Sequence, residues 1–343
     1  MTTNRTASLQ IPAVVLDQLE SHGLKVGRVL DDVEVLLRRQ VESSHTFVHQ
    51  VARYLIDAGG KRFRPLLVSL TSHLGDPDAD GIAEAGVIVE LVHLATLYHD
   101  DVIDEATARR GSPSANHRWD NTVATLTGDY LFARASELSA DLGVQVTRIM
   151  AQTLAALCEG EILEVQGSVG ALPDDIPRVE PTLEHYLKVI SGKTASLIAT
   201  SCRYGTLLSG CDDEVVETVT TYGWNTGMAF QLSDDLLDIG SEHEQSGKTP
   251  GTDLREGVRT LPVLYALDAD HDGELAALLD GERTDADVDR MLQILRGSDA
   301  MERARATAQD YIDTAVVMLD DLGDAPVVKA LKRLAGYALD RVG

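Results

Sequence analysis

A five-residue aspartate pattern occurs twice in this chain, each time inside an apolar, helix-patterned segment. The copies are Asp100-Asp101-Val102-Ile103-Asp104 and Asp234-Asp235-Leu236-Leu237-Asp238. Within a helix, the first and last aspartates of each copy are four residues apart, so both carboxylates project from one face. Two such faces turned toward each other would gather carboxylates that repel strongly unless cations lie between them. Hard oxygen ligands suit Mg2+, which completes its shell with water and substrate phosphate when few carboxylates hold it. The pattern therefore implies an all-α enzyme that handles a phosphate ester through several Mg2+ ions.

The rest of the chain agrees with a helical, soluble class. Helical periodicity predicts helices over 13–39, 42–58, 64–75, 79–107, 115–139, 144–167, 182–209, 213–240, 259–268, 285–295 and 298–341, with a break near Gly323. Alternating strand patterns are absent. Gly59-Gly60, Gly111-Ser112-Pro113 and the stretches 173–181 and 247–252 read as turns. The longer irregular stretches, 168–181 and 241–255, are candidate lids. No linker divides the chain, so residues 1–343 are expected to form a single domain, with the polar segment 1–12 flexible.

Hydrophobic residues make up 44% of the chain, enough for a large core. A formal charge of −25 argues against a nucleic-acid partner, because carboxylates repel a phosphate backbone. Cys158, Cys202 and Cys211 lack metal-ligand spacing and read as reduced thiols of a cytoplasmic protein. No signal-peptide pattern opens the chain, and no run approaches the ~20 apolar residues of a membrane span.

Against so much acid, a few cations stand out. Lys61 lies in Gly59-Gly60-Lys61-Arg62-Phe63-Arg64-Pro65, where basic side chains open a helix, an arrangement that favours an anion. Solvated arginines at a helix start are the simpler alternative. Arg109-Arg110 follow Asp104 and either bind a second anion or balance the aspartates. Lys193-Thr194, after Gly192, read in isolation as an exposed pair. Lys248 sits in the Gly-rich loop just after the second motif. His93 is two helical turns before Asp100 and Gln231 is three residues before Asp234, so each shares a face with its motif. Glu164 is a further carboxylate candidate, or a solvated helix position.

Together these residues resemble the trans-isoprenyl diphosphate synthase family, also called polyprenyl synthetases. The motifs GGKRFRP (59–65), HDDVIDEATARRG (99–111), GDYLFARA (128–135), SGKTASL (191–197), FQLSDDLLD (230–238) and GKTPGTDLREG (247–257) occur in family order. The resemblance implies an all-α helical bundle with a central cavity and both aspartate motifs at its mouth. It implies that Lys61, Arg64, His93 and Arg110 hold isopentenyl diphosphate. Arg109, Lys193, Thr194, Gln231 and Lys248 would grip the allylic diphosphate. Asp100, Asp104 and Asp234 would bind Mg2+ directly, with Asp101, Asp235, Asp238 and Glu164 in support. One departure is Val258 before Arg259, where many members carry a lysine. A homodimer is also implied.

The implied reaction adds isopentenyl diphosphate to an allylic diphosphate, lengthening an all-E chain by five carbons per step. Ala95 and Thr96, just before the first motif, are small where the growing tail would descend, and Val92 and Val89 continue the stripe. Phe132 is a candidate floor. Products of C20 or longer are expected, as for a quinone side chain, with geranylgeranyl or farnesyl diphosphate synthase as the alternative. A class I terpene cyclase would not need GGKRFRP or Arg109-Arg110. A non-catalytic partner subunit would be expected to have lost aspartates or basic residues, and this chain retains both.

Overall fold

The segment carrying the first aspartate motif forms the helix Ile82–Ile103 in a computed structural model of the chain. Val87, Ile88, Val89, Leu91, Val92, Leu94 and Ala95 are all buried along it, and a helix apolar all round belongs in a core. It is the one described helix long and apolar enough to cross a membrane, where the sequence reading expected no such run. Its best window has a mean hydropathy of 1.3 and is 67% buried inside the protein, as for a core helix. Residues 19–168, 179–240, 250–270 and 272–340 are described. The expectations for residues 1–12 and Lys248, and most of both candidate lids, fall outside them.

The fold is all-α as expected. Helices run over Val26–Gln40, Thr46–Asp57, Phe63–Ser72, Ile82–Ile103, Ala115–Arg118, Asn121–Asp141, Val144–Gly167, Leu183–Ile190 and Ser196–Leu208, then Asp213–Gly240. They continue over Thr252–Glu256, Leu261–Leu267, Glu274–Leu279, Asp285–Gly297, Ala300–Met318 and Pro326–Asp340. The periodic pattern missed three local features. The 115–139 helix is interrupted, because Asp120 caps a new helix by accepting from the Val123 N–H at 2.7 Å. The 182–209 helix contains a π-helical turn at Ser191–Ala195. A two-stranded hairpin pairs Ala108 with Pro113 and Arg109 with Ser112.

Contacts group the chain into two compact units. One takes residues 1–154, 197–220 and 322–331; the other takes 155–196, 221–321 and 332–343. In the first, Tyr98 ties the motif helix to the helix Thr46–Asp57. Its buried hydroxyl donates to the Val51 carbonyl at 2.6 Å and accepts from the Leu55 N–H at 3.3 Å. Gly128 lets the His99 ring approach the next helix, since a Cβ there would lie 2.3 Å from His99 Nε2. In the second unit, Ile239 at the end of the second-motif helix packs with Leu254, Val263, Leu275, Met291 and Leu295. Arg296 donates to the Ile239 carbonyl at 2.7 Å, holding that helix end.

Tyr98→Phe keeps the ring's packing but leaves the Val51 carbonyl without that donor in a buried place. The variant should lose about 1–3 kcal/mol of stability, read as a lower denaturant midpoint at unchanged slope.

Candidate active site

The first motif sits where carboxylates are least welcome. Asp100 and Asp101 lie in the last turn of their helix and Asp104 is its C-cap residue, so three negative groups join the negative end of the helix dipole. The motif divides its labour by exposure: Asp104 is exposed, Asp100 half-buried and Asp101 fully buried. Arg109 clamps Asp101, with Nε at 2.7 Å and Nη2 at 2.6 Å from the same oxygen. The other oxygen, Oδ2, is buried with no hydrogen-bond partner. Burial raises the Asp101 pKa and Arg109 opposes the rise. Arg109, expected on a diphosphate, is thus engaged with the motif itself.

The same hairpin aims Arg110 elsewhere. Arg110 and Gly111 both have positive φ (52° and 73°), the geometry of a tight hairpin turn that normally avoids long side chains at its first position. Arg110 donates to the Leu55 carbonyl at 3.1 Å and also to the Gly59 carbonyl, which pins the Gly59-Gly60 loop. His93 lies on the motif helix with its pKa held well below the ordinary value. Burial is the main cause, followed by the positive charges of Arg64, Arg110, Arg109 and Arg62. Burial and these positive charges therefore favour a neutral imidazole, two turns before Asp100. Lys61 is exposed and Arg64 half-buried. Thr96 is half-buried with its hydroxyl on the His93 carbonyl at 2.8 Å, whereas Ala95 is fully buried. Phe132 packs edge-on against His99, 5.5 Å between centroids, which places it at the level of the motif and not beneath Val92.

The second group is built on close backbone contact. A Cβ on Gly160 would lie 2.5 Å from the Lys193 backbone nitrogen, and one on Gly192 would lie 2.6 Å from the Ala156 carbonyl. Only glycine at both positions lets the π-helical turn lie against the helix Val144–Gly167, and π turns commonly re-aim functional side chains. Lys193 and Thr194 are consequently not an exposed surface pair. Lys193 Nζ donates to the Glu164 carboxylate and lies 3.0 Å from that of Glu161. Thr194 donates to Gln231 Oε1 at 2.7 Å, and Gln231 Nε2 donates to Asp235 Oδ1 at 2.9 Å.

Asp235 is buried, and Tyr186 donates to its second oxygen. Burial pushes its pKa up to about 7, with the charges of Asp234 and Glu164 adding to the rise and the two hydrogen bonds opposing it. Asp238 accepts from the backbone N–H groups of Thr252 (3.1 Å) and Asp253 (3.2 Å), so it organises the segment after the second motif. Asp253 is held well above its ordinary pKa by burial and then by Asp235, Asp238, Glu256 and Glu164. Sequence reasoning assigned no role to Arg62, Glu161, Tyr186 or Asp253; Arg62 and Asp253 lay inside quoted motifs and Glu161 lies one turn before Glu164, whereas Tyr186 carries no local signal. Arg259, after the departing Val258, pairs with Glu180 and Asp280 at 3.0 Å each.

These donor sets fit a hard divalent cation. Every ligand candidate is a carboxylate oxygen, and one buried oxygen of Asp101 lacks a hydrogen-bond partner. Mg2+ takes one or two carboxylates and fills the remaining positions with water and phosphate. Among the described residues no three His, Cys, Asp or Glu side chains are grouped as a metal site.

Comparison with known proteins places this geometry in a family. The family model for polyprenyl synthetase matches residues 45–297. A nonaprenyl diphosphate synthase of Mycobacterium tuberculosis is 45% identical over 315 residues, 91% of this chain and 92% of that protein. The crystal structure of a decaprenyl diphosphate synthase from Rhodobacter capsulatus superposes with a TM-score of 0.85 at 34% identity, covering 96% of this chain and 99% of that one. A polyprenyl synthase from Caulobacter crescentus, solved in complex with calcium and isoprenyl diphosphate, gives 0.84 at 32%, covering 96% and 97%. The chain belongs to the polyprenyl synthetase family and is a prenyltransferase.

His93 generates a pH prediction. Its folded pKa lies below the unfolded value of 6.5, so the unfolded chain binds the extra proton first as pH falls. Its contribution to stability is complete above the unfolded pKa and is lost as pH falls toward the folded one. His93→Gln should flatten that acid-side loss, seen as a shallower fall in urea midpoint below about pH 6.5.

Proposed function

We propose that the chain is a Mg2+-dependent trans-prenyltransferase that condenses isopentenyl diphosphate with an allylic diphosphate to give all-E polyprenyl diphosphates of C20 or longer. The observation that carries this reading is that one helix, Ile82–Ile103, ends in the aspartates of the first motif and also bears His93, whose pKa is lowered by burial and then by the positive charges of Arg64, Arg110, Arg109 and Arg62. Basic residues in the same unit as a carboxylate motif suit a diphosphate held together with Mg2+. In this reading Lys61, Arg64, His93 and Arg110 serve isopentenyl diphosphate, and Arg109, Lys193, Thr194, Gln231 and Lys248 serve the allylic diphosphate. Asp100, Asp104 and Asp234 are the Mg2+ ligands. Glu164, already engaged with Lys193, is a further ligand once the diphosphate takes the lysine. Asp101, Asp235 and Asp238 fix the motifs in place through Arg109, Tyr186 and the Thr252–Asp253 backbone.

Bound Mg2+ would supply neutralisation of the charge that builds on the allylic diphosphate as its C–O bond breaks. Lys193 and Gln231 orient that diphosphate and add charge and hydrogen bonds to it. The double bond of isopentenyl diphosphate then takes up the allylic carbocation, and a proton lost from the adduct leaves with the released diphosphate. No nucleophilic side chain is required. The reading includes a single catalytic domain, working as a cytoplasmic homodimer and serving a quinone side chain or another long isoprenoid; these parts rest on the family resemblance.

Purified protein incubated with Mg2+, labelled isopentenyl diphosphate and each allylic starter should give products of C20 or longer, sized after dephosphorylation. Asp100→Ala and Asp234→Ala should each cut turnover by about 10²–10³-fold or more while leaving the helical signal intact. Near-normal turnover in either would remove the metal assignment.

Chain length gives a separate test. Ala95 is fully buried, so an added ring there must displace neighbours, whereas Thr96 is only half-buried. Thr96→Phe should keep the first condensations and end growth early, shifting products toward C15 or C20. Unchanged products would show that the tail takes another route.

A further inference from the structure

The middle arginine of GGKRFRP is buried, while the cations on either side of it reach outward. Lys61 is exposed, Arg64 half-buried, and the Arg62 side chain has no exposure at all. Arg62 also adopts a left-handed backbone (φ 48°, ψ 37°), costly for a residue with a side chain, at the cap position of the helix Phe63–Ser72. Its guanidinium is held on three sides. Nε donates to Glu34 at 2.5 Å, Nη1 to Glu90 at 2.9 Å, and Nη2 to the Ile56 carbonyl at 3.2 Å. Burial alone would lower its pKa, but Glu90 and Glu34 outweigh that and the net direction is upward.

Glu90 serves a second arginine. It stabilises the charged form of Arg110 against burial and against the repulsion of Arg62 and Arg109. Both guanidiniums close on Gly60, where a Cβ would lie 2.8 Å from Arg62 Nη1 and 2.9 Å from Arg110 Nη1. The Gly59–Gly60 segment is thus gripped by Arg62 on one side and Arg110 on the other; Glu34 and Glu90 pair with Arg62, and the charge of Glu90 partly opposes the lowering of the Arg110 pKa by burial. Glu90 lies on the motif helix Ile82–Ile103, one turn before His93.

We infer that Arg62 and Glu90 are positioning residues for the isopentenyl diphosphate site: their buried ion pair sets the strained turn that presents Lys61 and Arg64, and Arg62 itself does not touch the diphosphate. The inference rests on the reading that Lys61 and Arg64 bind that substrate. It makes a prediction of opposite sign to direct electrostatics. Replacing Glu90 by a neutral group makes the region more positive, which would tighten an anion if Arg62 were a ligand. If Glu90 works by holding the turn, its neutralisation weakens the anion.

The test uses the full chain with Mg2+ and measures KM for isopentenyl diphosphate and for the allylic diphosphate separately in Glu90→Gln, Arg62→Lys and Lys61→Ala. Glu90→Gln and Arg62→Lys should each raise KM for isopentenyl diphosphate about tenfold or more, the scale of one misplaced charge-assisted contact, with the allylic KM within about twofold. If Glu90→Gln does not melt cooperatively, Glu34→Gln reads the same anchor from its other side. An unchanged or lower KM for isopentenyl diphosphate in the glutamate variant overturns the inference, as does an equal rise for both substrates. If Lys61→Ala raises that KM and the anchor variants do not, the anchor fails and the substrate assignment stands. If none of the three changes it, both fail.

Discussion

Buried like charge is the condition on which both halves of this chemistry depend. A helix such as Ile82–Ile103 is apolar enough to be core, yet it ends in three aspartates at the pole of the helix dipole that repels them. Asp101 is tolerable inside only because Arg109 contacts it with two nitrogens. Arg62 is tolerable beside Gly60 because Glu34 and Glu90 both pair with it, and Arg110 because the Leu55 and Gly59 carbonyls accept from it. The same helix therefore carries, in order, the glutamate that pairs with Arg62, a histidine whose pKa is lowered by burial and then by nearby arginines, and the aspartates of the first motif. Removing one partner of such a pair is far worse than never having buried it, which ties the basic and acidic groups of this unit to each other.

The second unit meets the same condition with hydrogen bonds instead of arginines. Among the described residues, Tyr186 and Gln231 occupy the two oxygens of Asp235, and burial still raises its pKa to about 7. Asp238 spends its carboxylate on backbone N–H groups. Two of the three aspartates in this motif thus hold local structure together, and the proposed reading gives the metal-binding role to Asp234. The first motif divides differently, with one fixture and two outward residues. A repeated pentapeptide does not mean a repeated arrangement, because the surroundings decide which carboxylate turns inward.

Helix content and the placement of both motifs were legible in the sequence, because apolar periodicity over stretches like 213–240 leaves little alternative. The features that escaped it are short or tertiary. The hairpin at Ala108–Pro113 has two-residue strands, too short for alternation to show. The π turn at Ser191–Ala195 follows from Gly160 meeting Gly192 across two segments, a contact between residues far apart in the chain. The spacing put Asp104 on one face with Asp100 and the resemblance left Asp101 in support, but neither showed that Asp101 would be fully buried against Arg109. Arg62 read as a solvated helix start because charge normally means exposure. Its partners Glu34 and Glu90 are each 28 residues away in sequence, beyond any local pattern.

Lys193 shows how the two kinds of constraint meet in one side chain. The glycine contact fixes its backbone, and Glu161 and Glu164 hold its ammonium group at half-burial. An ammonium with three rotatable donors on a flexible stem trades partners readily, unlike the planar fork of an arginine. Arg62 and Arg109 are fixed in geometry by their carboxylates and suit a scaffold. Lysine at 193 therefore suits the proposed reading, in which its ammonium would pass from protein carboxylates to an arriving diphosphate. On that reading Glu161 and Glu164 would be left with charge that a divalent cation could balance, so release of the lysine and uptake of a metal would be coupled through charge alone.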